Sequence, residues 1–460
     1  MRVTLVLCPQ ANPDKPPLSL AYLAANLIAQ GIDVRCFDLN IELFSKQPAE
    51  KKKLWESMME PLWFDIERLK DAGLISDSIF DDWVEKIEKT APEIVGFSLL
   101  ATTYHVTTRI AEKLKNRNPN LKIVFGGPEV YRLFGLGNLD VLNCADALIL
   151  GEGEETLVKA ALSLKEKGHF VAGEGILTRE GKKFTGEENI QLICPLDVIS
   201  FPKYELFPLE LYKERGQLPL IFSRGCVGRC TFCFERAYWK KFRQRSVDNV
   251  IREIQSIRER FGVYCFSLND SLLNGDMSFL KEFCERVIGE KIRVQWWGMA
   301  RVDGRMSEEF IRKMKRAGCQ SLAYGVESGS QRVLDLMRKD CSVSLIDDVI
   351  TNTWKAGIKP GINLLLGFPG EEEIDFQQTC ELVKRHGEHI AYVNISTLGI
   401  EPFTDVHARR HELGINLLDT SHWQTADGKN DSKLRRERAE RLSEIIGRYV
   451  GKANNFADEQ

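Results

Sequence analysis

Residues 223–233 read SRGCVGRCTFC, which places three cysteines, Cys226, Cys230 and Cys233, within one short stretch. Their C-x3-C-x2-C spacing is i, i+4, i+7, so one face of a buried helix is the first reading to exclude. Gly225, Gly228 and Thr231 interrupt the segment, and an apolar run, PLIFS (219–223), leads straight into it. Two glycines so placed weaken a helix, and the stretch reads better as a loop wrapped around a ligand. A structural zinc ion needs four ligands. The next cysteine, Cys265, lies inside an apolar strand pattern, and the next histidine is His386. Three thiolates with a vacant fourth position suit a [4Fe–4S] cluster with one iron left open.

The remaining cysteines agree. Nine of the twelve are scattered singly among mostly apolar neighbours and none follows Cys380, which is neither a secreted disulfide framework nor a second cluster domain. A formal net charge of −3 gives no electrostatic reason to expect nucleic acid. MRVTLVLCPQ at the start reads as a first strand rather than a signal peptide. No run approaches the ~20 apolar residues that a membrane span needs. A cytoplasmic protein is expected.

At 460 residues the chain calls for two or three domains. In residues 1–185, RVTLVL (2–7), DVRCFD (33–38), EIVGFSLL (93–100), KIVFGG (122–127) and DALILG (146–151) are near-continuous apolar runs. Helical patterns such as LSLAYLAANLIAQG (18–31) and TTRIAEKLKNRN (107–118) separate them. That alternation predicts a doubly wound parallel α/β sheet of Rossmann-like type. Residues 43–90, with three tryptophans, read as a helical insertion, and GILTREGKKF (175–184) as a closing hairpin. Residues 186–218, with Pro195, Pro202 and Pro208, read as a linker. From 219 to 400 six further strand patterns alternate with helices, predicting a partial (β/α)6 barrel. Residues 401–460 read as a helical C-terminal segment, and the basic run SKLRRERAERLSEIIGRYVGK (432–452) as a solvated helix face.

The cysteine loop after the first strand of such a barrel resembles the radical S-adenosylmethionine (SAM) superfamily. The likeness continues through FSLND (266–270), MARVD (299–303), YGVESGSQRVLDLMRK (324–339) and LLLGFPGEEEIDF (364–376). It implies that Cys226, Cys230 and Cys233 hold the cluster, and that Phe232, Asn269, Arg301, Glu327 and Gly367 line the SAM site, with Glu327 near the ribose. Loops at the carboxyl ends of barrel strands converge on one face, so these segments can share one ligand.

Parallel sheets like that of the first half bind ligands outside the carboxyl ends of their strands. GEGEET (151–156) lacks the third glycine of a dinucleotide fingerprint and follows the fifth strand rather than the first. With PPLSLAYLAANLIAQGIDV (16–34), IVGFSLLATT (94–103), VFGGPEV (124–130) and ILGEGEETL (149–157), the first half resembles the cobalamin-binding domain that precedes the barrel in one class of radical SAM enzymes. That resemblance implies cobalamin contacts at Ser98, Ala101, Thr102, Gly126, Gly127, Glu129, Gly151, Glu152 and Gly153. Many cobalamin proteins carry an Asp-x-His-x-x-Gly loop. Here the first loop reads CPQANPD and no histidine precedes His105, so base-off binding without a histidine ligand is implied.

In that class a reduced cluster cleaves SAM to a 5′-deoxyadenosyl radical, and methylcobalamin supplies a methyl group to a substrate carbon. The resemblance therefore implies a C-methyltransferase acting on an unactivated carbon of a small molecule or natural-product precursor. It also implies an electron donor such as flavodoxin or ferredoxin. A cobalamin-dependent radical cyclase or rearrangement enzyme is the alternative within the class, and a non-catalytic metal-binding scaffold the alternative outside it. His386, His389, His407, His411 and His422 read as surface or core histidines, and Trp296, Trp297 and Trp354 as core.

Overall fold

The computed structural model describes residues 1–56 and 62–451. Part of the expected helical insertion (57–61) and the end of the C-terminal segment (452–460) lie outside the described residues. The chain divides into two compact units, Met1–Pro219 and Leu220–Gln460.

In the first unit the strands are β1 (Arg2–Leu7), β2 (Asp33–Asp38), β3 (Ile94–Ser98), β4 (Lys122–Gly126), β5 (Ala147–Ile149), β6 (Ile176–Glu180) and β7 (Lys183–Gly186). They form one sheet in the order β2-β1-β3-β4-β5-β6-β7. β2 to β5 pair in parallel, while β6 and β7 add the expected antiparallel hairpin. β1 and β3 are buried along nearly their whole length. Helices on both faces of a parallel sheet demand this, and it explains apolar runs without alternation. Strand order reverses between β1 and β3, which makes the carboxyl ends of those strands a crevice.

The insertion is helical, through Leu39–Lys46, Ile66–Asp71 and Asp77–Glu88. It has an aromatic core of its own. Trp55 meets Phe44 and Trp63 edge-on at 5.3 and 4.9 Å, and its indole N–H donates to Asn40 at 2.7 Å. The proline-rich stretch expected as a linker is more anchored than its composition suggests. Tyr204 and Leu196 are buried, and the Tyr212 hydroxyl donates to Asp38 at 2.8 Å.

In the second half β8 (Gln217–Leu220) runs across the division, followed by the short β9 (Ser223–Arg224) and β10 (Arg243–Gln244), which pair with each other. β11 (Cys265–Leu268), β12 (Gln295–Ala300), β13 (Cys319–Glu327), β14 (Lys359–Leu366) and β15 (Tyr392–Thr397) complete a six-stranded sheet ordered β15-β14-β13-β12-β11-β8. Strictly sequential parallel neighbours with a helix in each crossover make the partial barrel. Helix starts are written in the sequence: Ser246, Asp276, Ser307, Ser330 and Ser342 each cap a helix with the side-chain oxygen.

The helix over QRVLDLMRK is short. It stops at Met337, Arg338 caps it in the left-handed region (φ +54°), and a second helix starts at Val343. The C-terminal segment is helical over Ser432–Tyr449 but first forms a hairpin of β16 (Ile415–Leu417) and β17 (Trp423–Thr425). Its basic helix is not a solvated face throughout, because Arg435 and Arg438 are only 3% and 2% exposed.

Candidate functional site

The cysteine loop leaves the sheet immediately after β9. Its entry is fixed by Asp270, whose carboxylate accepts from Phe222 N at 3.0 Å, Ser223 N at 2.5 Å and the Ser223 hydroxyl at 2.6 Å. Burial pushes this carboxyl up to about 6, against the pull of those donors and of Arg245. FSLND thus splits its last two residues between tasks. Asn269 is exposed with its backbone N–H on Leu220 O at 2.8 Å, and the neighbouring Asp270 is turned inward.

Cys226, Cys230 and Cys233 are all partly buried and none is in a disulfide. The Gly228 N–H donates to Cys226 Sγ at 3.2 Å, and backbone groups of Arg236 and Glu235 stabilise the Cys233 thiolate. Burial still raises Cys233 to about 11 and raises Cys230, the latter opposed by Lys339 and Arg301. Among the described residues no three His, Cys, Asp or Glu side chains converge to hold a single metal ion. A four-iron cluster is itself several atoms wide and takes thiolates that face a shared space.

Arg301 follows β12, pinned by reciprocal bonds with Asn274 (Arg301 N to Asn274 Oδ1 2.9 Å, Asn274 Nδ2 to Arg301 O 3.0 Å). Its guanidinium donates to Lys339 O at 3.0 Å and abuts Gly228, where an added Cβ would lie 2.9 Å from Nη1 and 3.3 Å from Cys226 Sγ. Glu327 ends β13 with φ +66°, a conformation that carries strain in a non-glycine residue. Its carboxylate pairs with Lys339 at 2.7 Å, the two side chains being 13% and 8% exposed. Burial would lower the Lys339 ammonium, but Glu327 and Cys230 hold it above its ordinary value. A Cβ on Gly325 would meet both, at 2.8 Å from Glu327 and 2.9 Å from Lys339. Sequence reasoning missed Lys339. No sequence signal marked it, since Arg338 and Asp340 both take positive φ, which neither residue type demands, and turn Lys339 inward between them.

Phe232 lies against an apolar cluster that includes Met337, Phe368, Ile400 and Trp423, with its ring 6.5 Å from that of Phe368. Gly367 turns the chain after β14 with φ +80°. The structure therefore gathers Phe232, Arg301, Glu327 and the cysteines around connected contacts. Gly367 joins them through Phe368, and Asn269 stands at the neighbouring strand end.

In the first unit the expected ligand contacts collect at the carboxyl ends of β3, β4 and β5. Ser98 ends β3 and Gly126 ends β4, and the loops are tied by Leu99 N to Gly126 O at 2.7 Å and Glu129 N to Leu99 O at 3.2 Å. Gly127 has φ +102°, and a Cβ there would sit 2.7 Å from Leu99 O. Gly151 and Gly153 lie beside Ile190 and Leu23, with room for hydrogen only. Ala101 is partly exposed, and the Thr102 hydroxyl donates to Gln10 O at 2.8 Å. Two carboxylates face inward. Glu129 is spent on Arg132 (2.6 and 2.7 Å), and Glu152 accepts from Ile193 N at 2.8 Å. Both shape the loops through protein contacts.

Known proteins bear on both halves. The B12 binding domain family matches residues 64–161 and the radical SAM superfamily residues 220–383. An uncharacterized methyltransferase of Pyrococcus horikoshii is 27% identical, over 97% of this chain and 91% of its own. A cytidylyl-2-hydroxyethylphosphonate methyltransferase of Streptomyces wedmorensis is 27% identical over 77% of this chain and 69% of its own. An anaerobic magnesium-protoporphyrin IX monomethyl ester cyclase of Synechocystis is 28% identical over 76% and 70%. Among solved structures, the radical SAM methyltransferase TsrM from Kitasatospora setae, with cobalamin and a [4Fe–4S] cluster bound, superposes with a TM-score of 0.68 at 17% identity, over 90% of this chain and 80% of TsrM. The cobalamin-dependent enzyme OxsB gives 0.63 at 17% identity, over 97% of this chain and 56% of OxsB. At such identities these structures speak for the fold.

Proposed function

Because the chain belongs to the radical SAM superfamily and carries a B12-binding domain ahead of its barrel, we propose that it methylates an unactivated carbon of a small molecule or natural-product precursor. The observation that carries the reading is the gathering of the cysteine loop, Arg301 and the Glu327–Lys339 pair at one end of the barrel sheet.

The residues fit the three groups that this activity requires. Cys226, Cys230 and Cys233 would hold the cluster, with the Gly228 N–H and the nearby Arg301 and Lys339 offsetting thiolate charge. Loading must release thiol protons, since burial alone keeps Cys230 and Cys233 protonated. Glu327 offers a carboxylate for ribose hydroxyls, and Lys339 and Arg301 offer cations for the amino-acid carboxylate of SAM. Phe232 and the Gly367 turn would flank the adenine, and Asn269 would line the edge. In the first unit the loops carrying Ser98, Ala101, Thr102, Gly126, Gly127, Gly151 and Gly153 would receive the macrocycle and its tail, Gly127, Gly151 and Gly153 shaping those loops by close packing on Leu99, Ile190 and Leu23. Glu129 and Glu152 set those loops. Bound together, the groups would supply reductive SAM cleavage, which takes one electron, and a transferable methyl, whose renewal on cobalt takes a second, both from a donor such as flavodoxin or ferredoxin. The chain's own part is to bind, orient and exclude water.

The test is anaerobic reconstitution with iron, sulfide and hydroxocobalamin, followed by a low-potential reductant, SAM labelled in its methyl group and a panel of candidate acceptors. Iron, retained cobalt, 5′-deoxyadenosine and label in a carbon-bound methyl of the product are the expected results. The cyclase relative keeps a second reading in play, in which 5′-deoxyadenosine forms but no label enters the product. Absence of SAM cleavage with a full cluster would leave only a scaffold.

A further inference from the structure

The two buried arginines of the C-terminal helix meet the Gly367 turn, although they lie beyond the region matched by the radical SAM family. Glu371 is wholly buried at its side chain and accepts from Gly367 N at 2.7 Å and from Arg438 Nη1 at 2.9 Å. On the other side of the same residue, Asn430 Nδ2 donates to Gly367 O at 3.1 Å and to Phe368 O at 3.4 Å. Asn430 is in turn held by Arg435 Nη1 at 3.0 Å, and Arg435 lies over the Trp423 ring at 4.0 Å while donating to Trp423 O at 2.9 Å. Arg435 Cδ occupies the space a Cβ of Gly367 would need, 2.3 Å away. The N–H and C=O of Gly367 are thus both fixed, one through Arg438 and one through Asn430.

Stability does not account for this arrangement. The Glu371–Arg438 contact is single, and Glu371 Oε1 and Arg438 Nε are buried without hydrogen-bond partners. A buried ion pair so incompletely satisfied is worth no more than an apolar contact of the same size. It does, however, fix a backbone conformation that an apolar pair would leave free. The C-terminal segment also reaches the cysteine loop, through Val406 N to Thr231 O at 3.1 Å, next to Phe232.

We propose that Asn430, Arg435 and Arg438 are positioning residues that set the Gly367 turn and the wall beside Phe232 for recognition of the adenine of SAM. This rests on the reading of Gly367 and Phe232 as adenine-flanking. It makes the C-terminal segment part of the cofactor site rather than only a cover for the barrel edge.

The experiment measures equilibrium binding of S-adenosylhomocysteine and S-inosylhomocysteine, which differ only at the purine, to cluster-loaded full-length protein. Variants are Asn430→Ala and the double Glu371→Gln/Arg438→Met, which breaks the link to the helix without stranding a buried charge. Wild type should prefer the adenosyl compound, and both variants should lose about tenfold or more of that preference with iron content near wild type. Equal weakening for the two compounds, or an unchanged ratio, would overturn the proposal, because a merely structural brace has no reason to read the purine. A wild-type protein that binds neither compound would instead overturn the SAM-site reading on which it stands.

Discussion

Replacing Asp270 by alanine isolates the residue that sets the cysteine loop. Three donors, Phe222 N, Ser223 N and the Ser223 hydroxyl, lose Asp270 as acceptor, and the hydroxyl keeps a longer bond to Leu272 O at 3.2 Å. Leaving a buried donor unpaired costs ~1–3 kcal/mol, so the two amides, with the weakened hydroxyl, total roughly 5 kcal/mol. Against this, the carboxyl's rise from 3.8 to about 6 shows what its burial already costs, roughly 3 kcal/mol once it is ionised. The net loss for Asp270→Ala is about 2 kcal/mol. Asparagine behaves differently, because Oδ1 alone accepts from both backbone amides and from the hydroxyl. Asp270→Asn keeps those bonds, sheds the ionisation cost and should stand near wild type at neutral pH. The pH dependence has a definite sign. A carboxyl raised in the folded state stabilises it most below about 4, and that contribution is lost as pH rises to about 6. The assay is hydrogen exchange of peptides spanning 217–233, corrected for the intrinsic pH dependence of exchange. Asp270→Ala should open this stretch ~30-fold more often than wild type at pH 7.5. Wild type should protect it better at pH 4.5 than at pH 7, and Asp270→Asn should flatten that trend. Wild-type protection in Asp270→Ala, or an unchanged pH trend in Asp270→Asn, would refute the reasoning.

Lys339→Met leaves the Glu327 carboxylate buried without its cation, an uncompensated charge that costs ~3–5 kcal/mol. SAM affinity should fall by more than about tenfold, read by equilibrium dialysis, and unchanged affinity would remove Lys339 from the site. Gly127→Ala forces a Cβ to 2.7 Å from Leu99 O at a positive φ, a strain of ~1–3 kcal/mol confined to the β3 and β4 loops. Cobalt retained per chain should drop while iron per chain stays level. Cys230→Ala should abolish 5′-deoxyadenosine formation and leave hydroxocobalamin retention intact. Continued formation of 5′-deoxyadenosine would contradict the cluster assignment.

Much of the fold was legible because its signals are local. Buried parallel strands announce themselves as unbroken apolar runs, and serine or aspartate caps mark helix starts, so the α/β class and both sheets could be read directly. The cysteine triplet was legible for the same reason, since spacing and two glycines decide its conformation within eleven residues. The end of the QRVLDLMRK helix was not. Lys339 differs from any helical lysine only because Arg338 and Asp340 adopt left-handed backbone, which neither residue type demands. Glu129 and Glu152 take Arg132 and Ile193 N as partners, which their motifs do not announce.

What escaped the sequence most completely is polar burial set by distant segments. The run 432–452 has a composition that a solvated helix would have, and charge count cannot distinguish Arg435 and Arg438 from the exposed Arg436. Their burial depends on Gly367, Asn430 and Glu371, which come from a strand end, a loop and a helix approach. Asp270 depends in the same way on two backbone amides nearly fifty residues before it. Asp270 and Glu371 accept main-chain amides at turns that the proposed function uses, and Arg438 and Arg435 hold Glu371 and Asn430 in place beside Gly367. Apolar packing could bury such turns at lower desolvation cost, but it leaves a carbonyl or an amide free to rotate. Charged partners for Phe222, Ser223 and Gly367 trade some stability for fixed backbone direction. The residues hardest to read from sequence are therefore those that position the loops on which the chemistry would rest.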